Sequence, residues 1–138
     1  MTAKVFEAAL GIAAPWSVAT VNFDEAAKLL TVLIDFKPGS RFALSGHEGV
    51  HPVHDTVAKS YRHMNFFQHE CVLKVRTPRV KLPNGSVRLV EPDFAGRLSG
   101  FTLLFEAFIL MLAQQMPFAA VGRLVGESAH RVMAVCER

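Results

Sequence analysis

Apolar residues in the first ninety positions fall mostly in short runs or alternate with polar ones at a period of two. Beyond Gly100 the spacing lengthens to three and four. Val5 to Ile12 reads as a short helix stopped near Gly11 and Pro15. Trp16 to Phe23 and Leu29 to Phe36 read as strands around a polar turn at Asp24 to Lys28, so a two-stranded ribbon backed by the first helix is the simplest arrangement. Lys37 to Ser40 breaks the pattern at Pro-Gly, and the histidine-rich stretch Ser45 to Asp55 reads as irregular. Ser60 to Asn65 and His69 to Arg76 return to strand character. Val80 to Leu82 and Val87 to Val90 flank Pro83-Asn84-Gly85-Ser86, a strong hairpin signal. Strand periodicity separates Cys71, Leu73 and Val75 from Val72, Lys74 and Arg76, and sets Lys81 against Val80 and Leu82. Basic residues are therefore expected to line one face of a small sheet.

Pro92 to Gly100 reads as a linker. After it, Thr102 can cap a helix over Leu103 to Gln115, Pro117 suits the first turn of a second that Gly126 ends, and Ser128 caps a third. Only Gly126-Glu127-Ser128 separates the last two. Gly122 lets them approach, Gly126 accepts the left-handed conformation of a sharp turn, and Val121, Val125, Val132 and Val135 are spaced to pack the pair. A helix-turn-helix has this spacing, and so does a plain helical hairpin closing a core. In the first reading the last helix presents Ser128, Ala129, His130, Met133 and Ala134 to a major groove, with Arg123, Arg131 and Arg138 near phosphates. The fold class is thus α+β. Residues 1–92 form a small mixed β module, 93–100 a linker and 101–138 a trihelical unit.

Charge sharpens this picture. The whole chain of 138 residues carries +3, but residues 56–90 alone hold Lys59, Arg62, Lys74, Arg76, Arg79, Lys81 and Arg88 against the single acid Glu70. A cluster of that kind suits a polyanion. It could equally be a solvated strand face, since Lys and Arg also protect sheet edges. Two distant cysteines, Cys71 and Cys136, form no Cys-x-x-Cys pair and suit a reducing compartment. No signal-peptide core opens the chain, and the apolar stretch Phe101 to Met116 is too short to span a bilayer, so a cytoplasmic protein without a membrane partner is expected. His47, His51 and His54 have metal-like spacing but lack the thiolates a structural zinc site prefers. No phosphate loop, nucleophile elbow or His-Glu-x-x-His motif is present, and Asp35, Asp55, Glu70, Glu91 and Asp93 form no acid–base pair. No enzymatic activity is expected.

Several stretches together resemble the N-terminal region of insertion-sequence transposases of the ISL-three family: Val5 to Leu10, Ile34 to Phe42, Pro52 to Thr56, Tyr61 to Glu70, Val75 to Val80, Phe101 to Ala107 and Met116 to Glu127. The resemblance implies a zinc knuckle followed by a helix-turn-helix that binds the element's terminal inverted repeats. The family's RNase H-like catalytic domain would follow. Because the chain ends at Arg138, the resemblance implies recognition without strand transfer. The knuckle is degenerate. Where the family has Cys-Pro-x-Cys-Gly the chain reads Ala43-Leu44-Ser45-Gly46; His51 and Leu82 stand at two further cysteine positions, and of the expected ligands only His54 survives, with His51 a candidate replacement.

Two functions remain open at this level. One is a non-catalytic protein that binds double-stranded DNA, such as a transcriptional regulator of transposase origin, with a homodimer through the apolar Phe101 to Met116 helix also admitted. The other is a protein-interaction module or mobile-element inhibitor that blocks a host nucleoprotein complex. In either case lost thiolates should remove most zinc affinity, leaving no cofactor and a knuckle held by apolar packing at Leu44 and Leu82. The melting temperature should accordingly be unchanged by a strong chelator; stoichiometric zinc by elemental analysis would sink this expectation.

Overall fold

The computed structural model describes residues 2–66, 68–98 and 100–137. Helix α1 (Thr2–Leu10) ends at Gly11, whose φ of +71° lies in the left-handed region. Strands β1 (Trp16–Asp24) and β2 (Leu29–Phe36) pair antiparallel from Trp16 opposite Phe36 to Asp24 opposite Leu29, as the alternation predicts. Asp24 closes their turn, its Oδ1 accepting the Ala27 amide at 3.0 Å. The ribbon does not stand alone. β2 also lies parallel to β5 (His69–Lys81), which pairs antiparallel with β4 (His47–Phe66). β3 (Arg41–Leu44) pairs with the start of β4 and β6 (Val87–Leu89) with the end of β5, giving the order β1-β2-β5-β4-β3. The Asn-Gly hairpin is present between β5 and β6.

The stretch Ser45 to Asp55 is not irregular. It contains a two-residue turn, with Gly46 at φ +84°, followed by the first nine residues of a strand twenty residues long. Three histidines, two glycines and a proline obscured a hairpin that backbone pairing supplies: Phe42 sits opposite His51 and Arg41 opposite Pro52.

Alternation on β5 follows expectation up to Thr77. Cys71, Leu73 and Val75 are buried, while Lys74 and Arg76 are exposed. They join Leu30, Val32, Ile34 and Tyr61 in a core closed by Phe6 and Leu10 of α1. Thr77 and Pro78 are then both buried, and Val80 and Leu82 become the inward positions. A second cluster gathers Phe36, Phe42, Val80 and Val90, with Leu44 packed against it.

Three helices follow the sheet: α2 (Leu103–Ala113), α3 (Phe118–Val125) and α4 (Ala129–Cys136). No described helix is long and apolar enough to cross a membrane. Their entry is tied to β4 by main-chain bonds. The Arg62 amide donates to the Gly100 carbonyl at 2.6 Å, and the Thr102 amide donates to the Arg62 carbonyl at 2.9 Å. The segment before α2 is held by Glu106, a buried carboxylate that accepts the Arg97 and Leu98 amides at 2.9 and 2.6 Å. A side chain at Gly96 would place its Cβ 2.5 Å from the Glu106 carboxyl carbon, so the Glu106 carboxylate would have to shift from these two amides.

Thr102 caps α2, its Oγ1 accepting the Phe105 amide at 3.2 Å, and the same oxygen lies 2.7 Å from Nδ1 of buried His63 on β4. Burial holds the His63 pKa below its ordinary value of 6.5. The folded state therefore binds fewer protons than the unfolded chain below about pH 6.5. The stability that depends on neutral His63 is full above that pH and is lost as the pH falls towards the folded value. Between pH 7.5 and 5.5 the wild type should lose more stability than His63→Gln, read from denaturant midpoints. An equal loss in both proteins would show that His63 does not titrate with unfolding.

Candidate nucleic-acid interface

The turn between α3 and α4 is built as the spacing predicts. Gly126 adopts φ +79°, and the amides of Gly126 and Glu127 both donate to the Gly122 carbonyl, at 2.8 and 2.9 Å. A Cβ on Gly122 would stand 2.5 Å from the Glu127 carbonyl oxygen. Val121, Val125, Val132 and Val135 are buried with Phe101, Phe105 and Ile109 in one core. Ser128 caps α4 by accepting the Arg131 amide at 3.1 Å.

With Val132 and Val135 turned inward, α4 exposes Ala129 and His130 beside the exposed cap Ser128, while Met133 and Ala134 are half-buried. Arg123 is exposed on α3. Arg131 is half-buried, its guanidinium carbon 4.0 Å from the centre of the Phe101 ring, so part of this side chain is committed to packing. Arg138 lies outside the described residues.

Arg62 does something the sequence did not suggest. It was expected among the phosphate contacts, yet it is only 9% exposed, with its guanidinium centre 4.9 Å from the Phe105 ring centroid. Nη1 meets Glu127 Oε2 at 2.9 Å and Glu70 Oε1 at 2.8 Å. Nη2 donates to the Val125 carbonyl at 2.8 Å and to Asn65 Oδ1 at 2.6 Å, and Nε donates to the His63 carbonyl at 3.2 Å. It is an internal fastening and leaves the surface set. Its isolation amid Tyr61, His63 and Met64 was the available signal; its partners, 65 residues away at Glu127, had none.

The other basic residues divide by partner. The sequence suggested few acids near them, but the fold supplies three. Arg76 bonds Asp35 at 2.8 Å and stacks on Phe36, Arg79 bonds both oxygens of Asp55, and Lys59 lies 3.5 Å from Glu91. The Arg79 guanidinium holds the Asp55 carboxyl below its usual range. These pairs are partly exposed, so each is screened and weak, and none is removed from competition with a phosphate. Lys74, Lys81, Arg88 and Arg123 have no acidic partner among the described residues.

The histidine set does not form a metal centre. His47, His51 and His54 are strung along one extended strand. His51 is buried opposite Phe42 with an unpartnered Nε2, and His47 and His54 are exposed. Among the described residues no three His, Cys, Asp or Glu side chains converge. Burial pushes the Cys71 thiol up to about 11, so it is no thiolate at neutral pH. The residues present do not fit a zinc knuckle.

Comparison with known proteins agrees with the helical geometry. Residues 90–138, about a third of the chain, match the helix-turn-helix domain of transposase family ISL3. No curated protein and no solved structure matches the chain. The C-terminal unit is therefore a helix-turn-helix of the transposase type.

The Gly122 contact gives a direct check. Gly122→Ala should lower stability by about 2–3 kcal/mol, because the new methyl meets main chain that cannot yield without opening the turn. The denaturant midpoint should fall with the slope unchanged. A midpoint within error of wild type would show that the turn is loose.

Proposed function

We propose that this protein binds double-stranded DNA without acting on it chemically, with α4 as the element that enters the major groove. The observation that carries the reading is the construction of α3 and α4. Two glycines fix a sharp turn of the transposase type, the apolar positions are spent inward, and Ser128, Ala129 and His130 are left exposed at the N-terminal end of the second helix. That end is where a helix-turn-helix meets base edges. Phosphate contacts are sought among Lys74, Lys81, Arg88 and Arg123, which have no acidic partner among the described residues, with Arg131 able to contribute from its perch on Phe101. Descent from the DNA-binding region of a transposase and service as a regulator both fit this reading.

A second reading, attachment to a protein, has one observation in its favour. Leu103, Leu104, Leu110 and Met111 stand 43–57% exposed on α2, an apolar stripe of the kind partners cover. Titration of duplex binding with salt separates the two. Contacts to about five phosphates should give a slope near −4.5 in log K against log salt, so affinity falls by roughly 500-fold between 50 and 200 mM. Absence of duplex binding at low salt rejects the DNA reading and leaves the protein partner.

A further inference from the structure

The sheet carries the helix-turn-helix on a particular face, and that face has a chemistry of its own. Residues directly opposite each other on antiparallel strands project to the same side. Arg62 is opposite Val72, Ser60 opposite Lys74 and Ala58 opposite Arg76, so Arg62, Lys74 and Arg76 share one side of the β4–β5 pair. Arg62 on that side grips the Val125 carbonyl and Glu127. The α3–α4 turn therefore sits on the same face as Lys74, about 7 Å further along the strand from Val72 at ~3.4 Å per residue. The pairing continues outward: Leu33 lies beside Lys74, with Thr20 opposite Leu33 and Asn22 opposite Thr31. Ala58, Ser60, Thr20 and Asn22 are small or short side chains and are exposed, as are Lys74 and the neighbouring Leu33.

Hydroxyl, amide and lysine donors are the groups that hold phosphates without reading sequence. The two carboxylates nearest the turn, Glu70 and Glu127, are both bonded to Arg62 and so carry little repulsion outward. Two further acids lie on this side: Asp35 is bonded to Arg76, and Asp24, two residues along β1 from Asn22, is exposed and accepts the Ala27 amide in the β1–β2 turn. Lys81 and Arg88 are different. They lie beyond Thr77 and Pro78, where the alternation ends, and Lys81 is about 30 Å along β5 from the level of Arg62.

We infer that the face carrying Ser60, Lys74, Thr20 and Asn22 is a second DNA contact, a platform for the phosphate backbone beside the groove that α4 enters. Arg62 is the positioning residue that fixes one contact relative to the other. The inference rests on the DNA-binding reading and narrows it: of the basic residues in 56–90, Lys74 meets phosphate directly, Arg76 assists from its pair with Asp35, and Lys81 and Arg88 do not take part.

Salt titration of the full chain on one duplex tests this. Lys74→Ala should reduce the slope of log K against log salt by about 0.9, one phosphate's share, while Lys81→Ala and Arg88→Ala leave it unchanged. Ser60→Glu, which adds a carboxylate to an exposed position on the platform, should weaken binding more than tenfold at low salt. Arg62→Lys keeps the charge but cannot serve all five acceptors; measured on folded protein, it should cost as much slope as Lys74→Ala or more. If that variant does not fold, the Lys74, Lys81 and Ser60 variants decide alone. A wild-type slope in Lys74→Ala, or an equal loss in Lys81→Ala, overturns the platform while leaving the helix-turn-helix reading intact. No duplex binding by the wild type overturns both.

Discussion

An arginine side chain carries five N–H donors in a rigid planar fork, and burying it is costly unless each finds an acceptor. At Arg62 all five do. The acceptors come from four separate places: β4 itself through His63 and Asn65, the start of β5 through Glu70, the last carbonyls of α3 through Val125, and the turn through Glu127. A helix end normally leaves such carbonyls to water or to a glycine cap. Here one of them is answered from a strand. This ion ties the α3–α4 turn to the sheet above the apolar contact centred on Phe105, and it adds to the main-chain bonds through which β4 holds the entry to α2.

Much of this architecture could be read along the chain. Local signals governed the elements they sit in. The Gly122 and Gly126 spacing, the Thr102 and Ser128 caps and the valine set produced the helical unit as observed, because each constraint acts within a few residues. Both strands of the first ribbon and the Asn-Gly hairpin were legible for the same reason. What escaped was set by pairing between distant segments. The parallel contact of β2 with β5 joins residues some forty positions apart, and no local period encodes which strands become neighbours. The β3–β4 hairpin was hidden because glycine and proline among the histidines at 46–54 carry turn signals that pairing with β3 overrides.

Charges were the least legible of all. Counted along residues 56–90 they looked like one uncompensated patch. In space, register brings Asp35 to Arg76 and Asp55 to Arg79, and folding takes Arg62 inside. A cluster in sequence is thus a poor guide to a cluster on a surface once strands alternate and cross-strand partners intervene. The same argument applies to the histidines: three at suitable spacing lie along an extended strand, and extension keeps them apart.

The carboxylate of Glu106 has a consequence for how such a protein can be divided and recombined. By holding the amides of Arg97 and Leu98 against Gly96, it turns the passage between sheet and helices into a fixed corner. A flexible stretch of that length would let the two parts sample many orientations and act as beads on a string. Here the two parts meet in one arrangement. A crossover near residue 90 would deliver three helices with caps and valines intact, but without the strand that answers Val125 and without the cation that Glu127 was shaped to meet.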